Sequence, residues 1–316
     1  MEKVTVRAPA HLHVGNFDLS GDLGRLFGTV GFAIERPSLE IEVRKANRIS
    51  SEDGVAEKFA RRFSEKYDVG GAEIKVEEAM PKYVGLGYHT TLALSIGKAL
   101  SELYGLSLSI KEVALAVRRG LITALGLYAC KVGGFLVEGG FKLGRMEEIV
   151  PPLLFRRKVP ETWYFVVAVP ESSRKEIAEF RRRKEEKILR NLEVMSREMS
   201  AELSRLVLLK MMPSILEEDI DDFGGALTSF NSKLGKVWSK YQGGSYCNEV
   251  VEHGIEFLKG RAYCACQSSW GPTFYGIVDG KSRAVILSKE LESFLEGKGG
   301  GETFYTKPRN GGLEWE

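Results

Sequence analysis

The stretch that decides the fold is Met80–Leu100, MPKYVGLGYHTTLALSIGKAL. Pro81 is followed four residues later by Gly85-Leu86-Gly87, and then by a long apolar-periodic run. Glycines let a backbone approach a ligand closely, and successive N–H groups at a helix start are aimed at an anion. The segment therefore reads as a glycine loop feeding a helix and as a candidate phosphate cradle. It is not a Walker A loop, because no Gly-Lys-Ser/Thr follows, and it is not a dinucleotide fingerprint. Taken alone, it is equally well read as a helix start with convenient glycines. Tyr88 and His89 stand where small hydroxyl residues are usual. These two rings could line a pocket or plug it.

Working outward, Val4–Arg7 alternates and reads as a strand, followed by the polar, glycine-punctuated stretch HLHVGNFDLSGDLGRLFGTVGFAIERP. Gly54–Tyr67 reads as an amphipathic helix and Ala72–Glu77 as a strand. The glycine loop leads into a helix over Thr90–Tyr104, with further helices over Ile110–Arg119 and Thr123–Lys131. Strands and helices mix without regular βαβαβ alternation, which points to α+β. WYFVVAVP opens the second half as a buried strand, and a charged helical region spans Ser172–Met211. In its EFRRRKEEK the acids interleave with the bases, so it reads as a solvated face. A helix over Ile215–Phe230 follows. Near the end, AVIL reads as a strand before another helix and a last strand. The composition shift at Pro151-Pro152 divides the chain into lobes 1–150 and 151–316.

The totals narrow the function classes. With 45 basic and 43 acidic residues the formal charge is +2, so bulk electrostatics argues for neither nucleic acid nor an anionic membrane as partner. The start MEKVTVRAPA lacks the apolar stretch of a secretion signal, and no apolar run is long enough to span a bilayer. Cys130, Cys247, Cys264 and Cys266 form no CxxC pair, and we expect reduced thiols in a cytoplasmic protein.

Three glycine-bearing polar loops stand out, at residues 11–31, 81–90 and 265–273. The first holds His11, His13, Asp18 and Arg25, and extended backbone would put His11 and His13 on one face. The third, Gln267-Ser268-Ser269-Trp270-Gly271-Pro272-Thr273, is a polar insert between apolar alternating segments. Such an insert is costly unless it meets a ligand or ties loops together.

In their order these loops resemble the GHMP kinase superfamily. Within it, the chain is most similar to the archaeal beta-ribofuranosylaminobenzene 5'-phosphate synthase family. The matching pieces are LHVGNFDLSGDLGRLFGTVGFAIERP, VGLGYHTTLALSIGKALSELYGL, GGFLVEGG, PPLLFRRKVPETWYFVVAVPE, QGGSYCNEVVE and CQSSWGPTFYGIVDG. The resemblance implies a two-lobe GHMP-kinase-like fold. It implies condensation of phosphoribosyl pyrophosphate with 4-aminobenzoate or a related aryl acid, with loss of carbon dioxide and pyrophosphate, in methanopterin-type cofactor synthesis. Magnesium would be the cofactor, and small molecules the partners, with homodimerisation left open. Carried over by position, His13, Asp18 and Arg25 would be catalytic, with Asp18 holding magnesium and Arg25 meeting phosphate charge. Gly85, Gly87, Tyr88, His89, Thr90, Gln267, Ser268, Ser269 and Trp270 would bind substrate. Two competing expectations are an ATP-dependent small-molecule kinase and a non-catalytic paralog. Against the kinase, LGLYACKVGGF carries Lys131 and no acid where many kinases of the superfamily place a catalytic Asp.

Overall fold

Two long N-terminal strands form the spine of the computed structural model. The structure describes all residues except 173, 181–182, 185–186, 189–191 and 193–194. Strand β1 runs Lys3–Asp18 and β2 runs Arg25–Ala46, paired antiparallel with register shifts at Pro9/Ala10 and His13/Gly15. The segment expected as a loop over 11–31 is therefore mostly strand, with its turn confined to residues 19–24. Its glycines serve close approach. A Cβ on Gly28 would meet the Phe17 ring at 2.2 Å, and one on Gly15 would meet Leu234 at 2.3 Å.

The first sheet continues through β3 (Ser50–Ser51), β4 (Gly71–Glu78), β5 (Phe135–Glu138), β6 (Phe141–Lys142), β7 (Leu153–Arg157) and β12 (Glu314–Trp315). The sheets do not divide at residue 150. β7 pairs with β5, and the C-terminal β12 returns to pair with β1. Helices α1 (Gly54–Tyr67), α2 (Tyr88–Leu103), α3 (Ile110–Val117) and α4 (Leu125–Lys131) pack together, with α2 and α4 against β1 and β2. Ala56, Phe59, Ala60 and Phe63 recur at helical spacing to give α1 its buried face, and Asp53 caps its N-terminus by accepting from the Val55 N–H.

The second sheet has the order β11-β8-β10-β9, all antiparallel, from β8 (Trp163–Pro170), β9 (Cys266–Gln267), β10 (Phe274–Asp279) and β11 (Gly301–Thr306). Strand β8 is buried on both faces, and its period of two divides its side chains between two cores. Phe165, Val167 and Val169 join the large core shared with the first sheet. Val166 and Ala168 join a smaller one with Ile255, Leu258, Phe274, Leu287 and Leu291.

The helical region expected over 172–211 falls partly outside the described residues. Those described include α5 (Arg174–Phe180), α6 (Arg197–Leu206) and a π-helical turn over Val207–Met211. Then follow α7 (Met212–Glu217), the long α8 (Ile220–Gln242), α9 (Glu249–Leu258) and α10 (Lys281–Glu296). AVIL at 284–287 lies inside α10 and is not a strand: Ala284, Leu287, Leu291 and Leu295 form one buried stripe while Ile286 faces out. No described helix is long and apolar enough to cross a membrane.

Candidate active site

The three loops meet at one buried hydroxyl. Ser268 Oγ donates to the Gly85 carbonyl at 2.7 Å and accepts from the His13 N–H at 3.0 Å. The junction is tight: a Cβ on Gly85 would sit 2.4 Å from the Ser268 carbonyl oxygen, and one on Gly87 would sit 1.9 Å from His11 Cε1. Both glycines also have φ near +90°, where side chains are strained. Neighbouring bonds extend the junction. Asn231 Nδ2 on α8 donates to the carbonyls of Val14 at 2.8 Å and Gln267 at 3.0 Å. Gln267 Oε1 accepts from the Cys247 N–H at 2.8 Å, and its Nε2 donates to the Ser269 carbonyl at 2.9 Å. The polar insert at 267–273 thus binds the loops together, and Ser268 and the Gln267 amide are spent on protein partners.

The junction floors a cleft of about 790 Å³, a volume typical of small-molecule sites. Of the residues expected to bind or react, His13, Gly85, Gly87, Tyr88, His89, Thr90, Gln267, Ser269 and Trp270 line it, and so does His11. Three of the chain's four histidines therefore face one space. Gly87 caps α2 without a side-chain hydrogen bond, and the first turn has no acidic residue. The positive end of this 16-residue helix is left to be met by an anion.

Tyr88 walls the cleft without plugging it. Its ring is buried, and its O–H donates to Asp53, the N-cap of α1, in a short contact. Lys82 also reaches Asp53 at 2.8 Å. Burial works to raise the pKa of Asp53, but hydrogen bonds from Lys82, Tyr88 and the Val55 N–H outweigh it and hold it down at about 2. Burial first, then the Asp53 contact, pushes the Tyr88 phenol well above its usual range. Beside it the His89 ring packs on Tyr83 with centroids 4.6 Å apart.

Asp18 and Arg25 do not line this cleft, which corrects the roles the sequence suggested for them. Asp18 Oδ1 accepts from the N–H and hydroxyl of Ser20, from the Gly21 N–H and from Ser200 Oγ, so it shapes the β1–β2 turn. That oxygen is thus spent within the protein. Arg25 donates to the carbonyls of Gly140 at 2.8 Å and Gly139 at 3.4 Å, holding the turn between β5 and β6. Among the described residues, no group of three or more His, Cys, Asp or Glu side chains could hold a metal ion.

The basic groups of the cleft come from elsewhere. Lys58 and Arg62 on α1, and Arg118 and Arg119 just past α3, line it. Arg62 Nη1 donates to the Val117 carbonyl at 3.1 Å, Arg119 Nη2 donates to Thr90 Oγ1 at 3.2 Å, and Arg118 pairs with Glu147 at 2.7 Å. Glu147 is the one carboxylate among the described lining residues. An aromatic group made of Trp238, Trp270 and Tyr246 completes the lining. Trp238 and Trp270 meet edge to face with centroids 4.8 Å apart. The arrangement offers cationic groups with an open helix end for phosphates, and flat apolar surface for a ring.

The chain is 32% identical to a beta-ribofuranosylphenol 5'-phosphate synthase of Archaeoglobus fulgidus, over 98% of this chain and 99% of that protein. The chain belongs to the beta-ribofuranosylphenol 5'-phosphate synthase family. A second synthase of that name, from Methanocaldococcus jannaschii, is 28% identical over 97% of this chain and 98% of its own length. Residues 54–133 match the GHMP kinases N terminal domain, the part of the synthase chain that holds the glycine loop. The fold is shared with homoserine kinase from Cytophaga hutchinsonii, at a TM-score of 0.70 and 16% identity, covering 100% of this chain and 98% of that one. The synthase family read from the sequence stands, with phenol in place of aminobenzene in the relatives' names.

Proposed function

We propose that this protein is a beta-ribofuranosylphenol 5'-phosphate synthase. It joins phosphoribosyl pyrophosphate to an aryl acid at the ring carbon that bears the carboxylate, releasing carbon dioxide and pyrophosphate. The observation that carries the reading is the match to synthases over nearly the whole of both chains. The relatives' product name carries a phenol, so the acceptor takes a hydroxyl where 4-aminobenzoate has its amine, which is 4-hydroxybenzoate.

The residues divide the work. The open N-terminus of α2 with Arg62, Arg118, Arg119 and Lys58 receives the phosphates, and Trp238 and Trp270 hold the aryl ring. Bringing the anomeric carbon and the ring carbon together supplies orientation, and the fixed positive charge stabilises the departing pyrophosphate. Magnesium, which the family resemblance implies, would neutralise phosphate charge. Among the described residues no group of three or more carboxylate, His or Cys side chains is gathered, so we infer that such an ion is held chiefly by the diphosphate.

Calorimetry separates this reading from its rivals. Phosphoribosyl pyrophosphate should bind and ATP should not. ATP binding alone would favour a kinase, and binding of neither would favour a non-catalytic paralog. Turnover with 4-hydroxybenzoate should exceed turnover with 4-aminobenzoate, and the reverse order would restore the amine as the native group.

A further inference from the structure

Behind the cleft, three polar side chains lie in a row across three adjacent strands. Asn16 on β1 is opposite Thr29 on β2, and Thr29 is opposite Glu138 on β5. Directly opposed residues share a face of a sheet, so the three side chains are neighbours in one line. The row is dry: Thr29 and Glu138 are fully buried and Asn16 nearly so. It ends at the cleft, because Asn16 lines the wall. Asn16 Nδ2 donates to Thr29 Oγ1 at 3.0 Å. Glu138 Oε2 accepts from the Gly140 N–H at 2.7 Å, while the enclosed Oε1 makes no close bond of good geometry, the Thr29 hydroxyl and the Ala124 N–H acting on the carboxyl from longer range. An unsatisfied carboxylate oxygen in a protein interior is costly and calls for an explanation.

We propose that Glu138 is a positioning residue that sets, through Thr29, which end of the Asn16 amide faces the cleft. A threonine hydroxyl has one proton to give. While Oγ1 accepts from Asn16, that proton is free for the neighbouring carboxylate, and Asn16 keeps Oδ1, an acceptor, for the cleft. When the carboxyl of Glu138 carries a proton it becomes a donor to Thr29. The hydroxyl then turns toward Asn16, and the amide reverses to present its Nδ2 donor. One proton taken up in the interior thereby changes an acceptor on the cleft wall into a donor, with no movement of backbone.

The surroundings suit such a group. Burial raises the pKa of Glu138 to about 7, against the pull of the Thr29 side chain, the Gly140 and Ala124 N–H groups and the Arg25 charge. The charged and titratable groups that face it are Arg25 from β2, whose guanidinium is held by the Gly139 and Gly140 carbonyls, and Tyr128 from α4. The Tyr128 O–H is committed to the Pro151 carbonyl at 2.7 Å. Arg25, set aside as a phosphate ligand, thus acquires a part in tuning this carboxyl.

The inference rests on the synthase reading only for the reaction it would modulate, and its test does not need turnover. The side-chain amide protons of Asn16 in the 15N-labelled full chain would be followed by NMR from about pH 5.5 to about 8.5. In the native protein they should titrate with a midpoint near 7, and in Glu138→Gln the titration should vanish. Thr29→Val, which keeps the carboxyl and removes the relay, should also silence Asn16, and serves where the Gln variant does not fold. Under turnover, the inflection near pH 7 in kcat/KM should disappear in the same variants. An Asn16 amide that ignores pH in the native chain, or titrates unchanged in either variant, overturns the proposal. Titration of Asn16 in a protein without synthase turnover would sink the synthase reading and leave the relay standing.

Discussion

Replacing Tyr88 by Phe removes one O–H and nothing else, and it tests how the glycine loop is built. That O–H donates to Asp53, which also receives Lys82 at 2.8 Å and caps α1 through Val55 N at 2.8 Å. A hydrogen bond to a charged group contributes about 1.5–3 kcal/mol. Asp53 provides a second route to the magnitude. Its pKa is held at about 2 against an ordinary 3.8. At about 1.4 kcal/mol per unit, the difference is roughly 2–3 kcal/mol for all its partners together. Asp53 is open enough to solvent for screening to reduce this by about half. The Tyr88→Phe variant should therefore lose about 1 kcal/mol, read as a lower urea midpoint at neutral pH with an unchanged slope. The sign with pH follows from the depressed folded value. The stabilisation is complete above the unfolded value of 3.8 and fades as pH falls through about 2, so the two proteins should converge in acid. Equal midpoints at neutral pH would refute a stabilising role for the Tyr88–Asp53 hydrogen bond. Unchanged stability together with a large rise in KM for phosphoribosyl pyrophosphate would place the hydroxyl on the substrate instead.

Other outcomes follow from the same geometry. Glu138 has a folded value of about 7 against an ordinary 4.5, so native stability should decline as pH rises through that window, by up to ~3 kcal/mol. Urea unfolding of Glu138→Gln at both ends of the window should lack the decline, and parallel curves would contradict the burial argument. Gly87→Ala places a Cβ 1.9 Å from His11 Cε1 at positive φ. It should destabilise by roughly 1–3 kcal/mol and abolish binding of phosphoribosyl pyrophosphate, whereas native affinity would show that the loop yields easily. By calorimetry, Arg62→Ala or Arg119→Ala should weaken that ligand roughly tenfold or more while Arg25→Ala leaves its affinity nearly unchanged; the opposite ranking would return Arg25 to the phosphate site.

Much of this architecture is legible in local patterns. Helix α1 has the bounds its periodicity implied, because Asp53 caps it and its apolar face repeats cleanly. Helix α2 starts two residues before the expected Thr90, because Gly87 rather than a side chain ends the loop. AVIL misleads because four β-branched and aliphatic residues resemble a strand, while the helical stripe becomes visible only over the twelve residues from Ala284 to Leu295. The site is less legible than the fold. Lys58 and Arg62 read as a solvated face of α1, and Arg118-Arg119 as the end of a helix. Their convergence depends on α1 and α3 packing side by side, which no local spacing encodes. Asp18 and Arg25 lie in the right loop but are held in turns, Asp18 by its near neighbours Ser20 and Gly21 with Ser200, and Arg25 by the distant Gly140. Within the polar insert at 267–273, Ser268 ties the loops together while Trp270 lines the cleft.

The most direct measurement of the central claim uses 4-hydroxybenzoate labelled at its carboxyl carbon, incubated with the purified chain, phosphoribosyl pyrophosphate and magnesium. The account predicts labelled carbon dioxide released in equal amount with pyrophosphate, and an aryl ribotide of the corresponding mass. Pyrophosphate without labelled carbon dioxide, or consumption of ATP in place of phosphoribosyl pyrophosphate, would contradict it.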